Sequence, residues 1–230
     1  MSEQPTEPAR GETSQTLDRG LRLLEILATE AEGLSVQELA KRLAIHRTVS
    51  YRLLNTLLEH RLVQRMQDGR YKLGTGLIEL ARRISPRLQS AATPELKRLA
   101  EELGATTHLT TANGDEAVVL TTIEPSHTHM HVVYRAGFRH ALDQGASGIA
   151  ILASRPAQAA ERSQIRQARQ RGYAVSQNEI QSGASGLAVP LILDGSPIEA
   201  SIGVIVLGTI DEARVSPRVL AAARRIAALL

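Results

Sequence analysis

Between Leu34 and Leu73 the spacing of apolar residues changes twice, and each change marks a new element. Val36, Leu39, Ala40 and Leu43 recur at three- and four-residue steps, which places them on one face of a helix. Ser35 with Glu38 three residues on has the spacing of a capping box, so the helix should begin there and run to about Leu43. A second periodic run, Val49, Leu53, Leu54, Leu57 and Leu58, predicts another helix after a connection of only Ala44 and Ile45. Its inward stripe leaves Arg47, Thr48, Ser50, Tyr51, Arg52 and Asn55 on or near the outward face. After Leu62 the period falls to two: Val63 and Arg65, then Tyr71 and Leu73, flank the turn signal Asp68-Gly69. Two helices joined tightly and followed by a hairpin carrying Arg65, Arg70 and Lys72 read as a winged helix-turn-helix.

The same reading extends along the chain. A helix over 15–29 sets Leu17, Leu21, Leu24 and Leu27 toward the core of this first module and leaves Leu23 and Ile26 as surface for a partner subunit. Another over 75–84, with Leu77, Leu80 and Ala81 inward, leads away from the wing until Ser85-Pro86 interrupts it. Thr93-Pro94-Glu95 combines a cap residue, a first-turn proline and an acid, and predicts a helix that buries Leu96, Leu99, Ala100 and Leu103 and ends at Gly104. Strands are expected over 106–112 and 116–124 about Asn113-Gly114, over 129–135, and over 186–193 and 198–207 about Asp194-Gly195. Helices are expected near 148–153 and 164–171, and a last one from Ser216-Pro217. Antiparallel sheet flanked by helices is an α+β arrangement. The expected domains are a disordered polar tail (1–13), a winged helix-turn-helix (14–74), a linker helix (75–92) and the α+β domain (93–230).

Charge sharpens the first module. Residues 36–72 hold eight Lys or Arg against three acids, a local charge of +5 in a chain whose total is +3. Positive charge concentrated on such a motif is what neutralises a phosphate backbone and releases its counterions. Arg can read a guanine edge, Asn an adenine, and Thr a thymine methyl. The chain has no cysteine, which excludes disulfides and thiolate chemistry. No apolar run approaches a membrane span and the first thirteen residues have no apolar centre, so a cytoplasmic protein without membrane contact is expected. No phosphate loop, nucleophile elbow or zincin motif is present, so neither enzyme activity nor a cofactor is expected. The one metal-like pattern is His127, His129 and His131, whose alternation on a strand would align three imidazoles.

Residues 17–28 (LDRGLRLLEILA), 33–58 (GLSVQELAKRLAIHRTVSYRLLNTLL) and 69–81 (GRYKLGTGLIELA) resemble the IclR family of bacterial transcriptional regulators, and 171–191 (RGYAVSQNEIQSGASGLAVPL) resembles that family's effector-domain signature. The resemblance implies a winged helix-turn-helix on a linker helix, joined to a GAF-like domain that binds a small molecule, in a homodimer or dimer of dimers on palindromic double-stranded DNA. It places the recognition helix at about 46–59. DNA contacts would come from Ser35, His46, Arg47, Thr48, Ser50, Tyr51, Arg52, Asn55, Arg70 and Lys72. The effector cavity would be formed by the loop from Asp143 to Gly148, including Gln144, Gly145, Ala146 and Ser147, with Asn178, Gly186, Ile205 and Leu207. Small polar residues are usual in the family where Ile205 and Leu207 stand, so an apolar or aromatic effector is expected. The alternatives are a metal-sensing or metal-dependent protein using the three histidines, and a DNA-binding protein that needs no effector.

Overall fold

The computed structural model describes residues 13–127, 134–193 and 195–230. Residues 1–12 of the expected tail, most of the strand over 129–135, His129, His131 and Asp194 lie outside the described residues. The chain divides into two compact units, one ending at Ile84 and the other beginning at Ser85.

The first unit contains α1 (Gln15–Ala28), α2 (Val36–Arg42), α3 (Arg47–Glu59), β1 (Val63–Arg65), β2 (Tyr71–Leu73) and α4 (Gly76–Ala81). The capping box forms: Ser35 N–H donates to Glu38 Oε2 at 2.8 Å, and Glu38 N–H donates to Ser35 Oγ at 3.3 Å. These bonds hold the Glu38 carboxyl below its ordinary pKa, with the Arg70 and Arg42 charges adding to the effect. Between α2 and α3, Ala44 takes the left-handed turn conformation at φ 51°, where glycine is the usual residue. β1 and β2 pair antiparallel, and Leu34 bridges to Tyr71 as a third short rung. Leu23, Leu39 and Leu54 are completely buried where the three helices meet.

In α1 the buried residues are Gly20, Leu23 and Leu27, while Leu17 and Leu21 are exposed, so the inward face is rotated from the expected one. A stripe counted from leucines misses a position occupied by glycine. Gly20 belongs to the buried row, and a Cβ there would lie 4.0 Å from the Leu53 side chain of α3. α4 is also shorter than expected, and Leu80 and Ala81 are exposed. Its inward anchor is Gly76, which packs against the backbone carbonyls of His60 and Arg61.

The second unit is built on a six-stranded antiparallel sheet in the order β5-β4-β3-β8-β7-β6. Its elements are α5 (Pro86–Leu103), β3 (Thr106–Asn113), β4 (Glu116–Ile123), β5 (Arg139–Ala141), α6 (Gly145–Ser154), α7 (Ser163–Arg171), β6 (Ala174–Gln177), β7 (Ala184–Leu191), β8 (Ala200–Leu207) and α8 (Glu212–Ala227). α5 and α8 cover one face with a continuous apolar core that includes Leu96, Leu99, Leu109, Leu187, Ile202, Val219 and Ile226. α6 and α7 join the sheet in a second, alanine-rich cluster with Ile149 and Ile165. This is the α+β arrangement expected from the pattern, and the GAF-like architecture that the family resemblance implies.

Two helices begin well before the X-Pro signals read as their starts. α5 begins at Pro86, leaving Pro94 inside it, and α8 begins after Asp211, leaving Pro217 inside. Leu88 and Ala92 extend the buried stripe of α5, and Val215 extends that of α8, so packing outweighs the lost hydrogen bond. In α5, Thr93 Oγ1 donates to the Gln89 carbonyl at 2.7 Å. The β3–β4 register pairs Asn113 with Glu116, so the hairpin turns on Gly114-Asp115, one residue later than expected. Gly114 alone has positive φ (62°), the pattern of a turn with glycine at its first central position. β5 and β6, of three and four residues, were too short to register as periodic runs. Among the described residues no helix is long and apolar enough to cross a membrane.

Candidate DNA-binding face and ligand pocket

The eight basic residues of 36–72 separate into two sets. Arg42 pairs with Glu30 at 2.6 Å, Arg61 with Glu79 at 3.5 Å, Arg70 with Glu38 at 3.6 Å and Lys72 with Glu32 at 3.9 Å. Arg70 also donates from Nη1 to the Gly33 carbonyl at 2.8 Å, so it fastens the wing to the start of α2. Lys41, Arg47, Arg52 and Arg65 have no acidic partner among the described residues and are exposed. Arg47 and Arg52 stand on α3 beside exposed Thr48, Tyr51 and Asn55. The Arg47 guanidinium lies over the Tyr51 ring, 5.5 Å from its centroid, and donates to the Tyr51 hydroxyl at 3.3 Å. His46 is the exposed N-cap residue of α3, and Ser35 is half-buried with its hydroxyl in the capping box.

Ser50 departs from the expected outward face. It is completely buried, and its hydroxyl has no hydrogen-bond partner among the described residues. Position 50 falls between Val49 and Leu53 on the inward side, where a helical count admits a small polar residue as readily as an apolar one.

In the second unit, Gly145, Ala146, Ser147, Gly186 and Ile205 of the expected effector set converge on one cavity of about 30 Å³. That volume holds one or two waters. Gln144 is the exposed N-cap residue of α6. Asn178 sits at φ 58° in a turn, where its Oδ1 accepts from Gly183 N–H at 2.7 Å. Leu207 is exposed at the end of β8. None of these three lines the cavity. The rest of the lining is largely polar, with His108, His140, Ser176, Glu179, Gln181 and Ser185, beside the apolar Ile180 and Ala184.

His108 was not singled out from sequence. It lies on β3 between Thr106 and Thr110, and alternate residues of a strand share one sheet face. All three are buried, and Thr106 Oγ1, His108 Nδ1 and Thr110 Oγ1 each have no hydrogen-bond partner among the described residues. Buried polar atoms are normally satisfied, so such a row needs an explanation. Burial, with a smaller contribution from nearby His140, pushes the His108 pKa down to about 4, so the ring is neutral near pH 7. His140 Nδ1 lies 2.9 Å from the Ala141 carbonyl, which can only accept, so in the neutral ring this nitrogen carries the proton. Its Nε2, 3.2 Å from Ser147 Oγ, then accepts from that hydroxyl.

The His108 ring has room because its cross-strand neighbour is Gly203. A Cβ there would lie 2.6 Å from His108 Cε1, 2.7 Å from Nε2 and 2.9 Å from the Leu187 carbonyl. Gly203→Ala is therefore expected to cost about 1–3 kcal/mol, lowering the Tm by about 2–4 °C per kcal/mol. In a His108→Ala background most of that cost should vanish, which a double-mutant cycle in calorimetry would measure. An equal cost in both backgrounds would place the conflict at the Leu187 backbone.

Of the three histidines considered for a metal, His127 is described; its Nδ1 is 3.0 Å from Glu101 Oε2. The other two lie outside the described residues. Among the described residues no three His, Cys, Asp or Glu are placed to hold a metal ion.

Comparison with known proteins gives a consistent result for both units. The family model for the IclR helix-turn-helix domain matches residues 16–66, and that for the bacterial transcriptional regulator IclR C-terminal domain matches residues 84–163. The transcriptional regulator XynR of Escherichia coli is 26% identical, over 88% of this chain and 90% of that protein. TtgV of Pseudomonas putida is 29% identical, over 62% of this chain and 55% of that protein. An IclR regulator structure from Alicyclobacillus acidocaldarius superposes with a TM-score of 0.75 at 22% identity, covering 95% of this chain and 99% of that one. The structure of an IclR homologue complexed with 4-hydroxybenzoate, from Microbacterium hydrocarbonoxydans, gives 0.80 at 21% identity, covering 94% and 99%.

Proposed function

The chain belongs to the IclR family and is a helix-turn-helix transcriptional regulator, and from that premise we propose that a small molecule bound in its second unit alters how tightly its α3 faces hold a palindromic operator. The observation that carries the DNA half is the sorting of charge. Four cations are neutralised within the unit, while Lys41, Arg47, Arg52 and Arg65 are left for phosphate or base edges. The effector half is supported by the cavity at the start of α6, lined by His108 with its Nδ1 unpartnered among the described residues, and by the 4-hydroxybenzoate in a homologue of the same fold.

Two copies related by a two-fold axis would present α3 to successive major grooves, and exposed Leu17 and Leu21 offer apolar surface for such pairing. An effector acts by binding one arrangement of the copies better than another. A coupling of about 1–3 kcal/mol changes operator occupancy about 5- to 150-fold. The test is fluorescence anisotropy of the full chain on duplexes from the region upstream of its own coding sequence, with and without a panel of small acids and aromatics. Retention of one duplex over random sequence, with affinity moved by one compound, is the expected result. Binding that no compound moves would leave a regulator without an effector, and absence of any sequence preference would sink the operator reading.

A further inference from the structure

The wing has little of its own to hold it in place. β1 and β2 share three paired positions, and a two-stranded hairpin of that size is marginal without a neighbour. The neighbour is the loop before α2. Leu34 and Tyr71 exchange backbone hydrogen bonds of 3.0 and 2.8 Å. A Cβ on Gly33, at φ 68°, would lie 2.4 Å from the Tyr71 carbonyl oxygen, so loop and wing meet at a distance that only glycine permits. Arg70 completes the joint from the wing side. Its Nη1 donates to the Gly33 carbonyl at 2.8 Å, its Nη2 lies 3.6 Å from Glu38 Oε1, and its backbone N–H donates to Asp68 Oδ1 at 2.9 Å within the hairpin turn. Glu38 is therefore divided between two tasks, with Oε2 on the Ser35 N–H of the α2 cap and Oε1 toward Arg70. Arg65 is the opposite case. It stands across from Tyr71 at the end of β1, is exposed, and has no acidic partner among the described residues. Its Nη2 would lie 3.9 Å from a Cβ on Gly69, so the guanidinium sits at the hairpin tip.

We propose that Arg70 and Glu38 are positioning residues for DNA binding: neither touches the duplex, and together they aim the wing so that Arg65 reaches a backbone phosphate beside the groove that α3 enters. The inference rests on the DNA half of the reading above and goes beyond it by giving an acid a part in holding a polyanion. The partners of each arginine favour this over a direct contact from Arg70. Binding DNA through Arg70 would break a hydrogen bond to a carbonyl and separate an ion pair, whereas Arg65 has neither to lose. The Arg70–Glu38 pair also contributes little to folding, because its side chains are 38% and 45% exposed. What it sets is direction. Arg65 and Arg70 lie on either side of the tip, so a tilt of the hairpin about the Gly33-Leu34 joint carries Arg65 with it. A charge-assisted contact to phosphate needs its heavy atoms within about 2.7–2.9 Å, and a small tilt loses it.

The experiment is a double-mutant cycle in the full chain, read by fluorescence anisotropy on the duplex that the wild type prefers. Arg65→Ala and Arg70→Ala should each weaken binding about fivefold to tenfold and lower the slope of log affinity against log salt by about 0.9, the signature of one phosphate contact. The double variant should bind no worse than either, with its slope still lowered by about 0.9; a direct contact from Arg70 would instead multiply the losses and lower the slope by about 1.8. Arg70→Lys keeps the charge without the two-pronged donor and should resemble Arg70→Ala. Glu38→Gln keeps an oxygen for Ser35 N–H, and with it the α2 cap, while removing the charge opposite Arg70. Loss of an acid from a DNA-binding unit ordinarily tightens binding. Here it should weaken binding about threefold, and only while Arg65 is present. This variant also serves should the alanine variants fold poorly. Multiplied losses in the double variant, wild-type affinity in Arg65→Ala, or tighter binding by Glu38→Gln would overturn the proposal. The wild type separates the two failures: if it prefers one duplex while the losses multiply, this inference alone falls, and if it prefers none, the operator reading falls with it.

Discussion

Arg52→Ala is expected to weaken operator binding about tenfold to a hundredfold, equivalent to about 1–3 kcal/mol, whereas Arg42→Ala should leave it nearly unchanged. Both residues are exposed arginines of the helix-turn-helix, and residue counting treats them alike. Arg42 already spends its guanidinium on Glu30 at 2.6 Å, and it stands at the end of α2. Arg52 stands on the exposed face of α3 one turn from Thr48 and Asn55, with no side-chain partner among the described residues. Nothing in the folded unit competes with DNA for it. Anisotropy titrations between 50 and 200 mM salt then distinguish its two possible contacts. A phosphate contact lowers the slope of log affinity against log salt by about 0.9, while a base contact leaves the slope and relaxes the preference at one position. Wild-type affinity, slope and preference in the variant would remove α3 from the interface.

The contrast between these two arginines also shows how far sequence reading reaches. Periodicity and capping are local properties, so Ser35 with Glu38, the Leu53-Leu54-Leu57 stripe and the Asp68-Gly69 hairpin all stand where the spacing puts them. Pairing of charges is not local. Arg70 lies 37 residues from the Gly33 carbonyl it binds and 32 from Glu38, and only folding brings the wing to the start of α2. The helix starts at Pro86 and Glu212 were hidden for a related reason. Proline is a strong local signal, but the burial of Leu88, Ala92 and Val215 that overrides it is tertiary.

The pocket was half legible. Gly145, Ala146 and Ser147 could be placed through the family resemblance. The rest could not, because His108 comes from β3 and Ser176 and Glu179 from the stretch about β6, and only folding brings the two segments together. Even the apolar run of β8 concealed the distinction that matters. Ile202 and Val204 face α5 and α8, while Ser201 and Gly203 lie on the other face, paired with Thr110 and His108 of β3. Small residues on that face are what leave space for an imidazole.

That buried imidazole should make the second unit sensitive to mild acid. His108 in the unfolded chain titrates near 6.5, and burial brings it down to about 4 in the folded state. Above pH 6.5 the ring is neutral in both states and contributes no pH dependence. As the pH falls toward 4, the unfolded chain takes up a proton that the folded chain refuses, so stability declines across this window by about 3 kcal/mol and levels off below it. The carboxylates held below their ordinary pKa, Glu95, Glu101, Glu161 and Glu199 among them, begin to lose their contribution near 4.5, at the lower end of this window, but they are common to wild type and variant. Denaturant unfolding of the wild type and of His108→Asn between pH 7.5 and 4 isolates the histidine as the difference between two curves. The variant's curve should be flatter by most of that amount between 6.5 and 4, whatever its stability at neutral pH. Parallel curves would mean that the ring accepts its proton without leaving the fold, through water reaching Nδ1 or a local opening of the α6 cover, and the cavity would then be wetter than its unpartnered polar row implies.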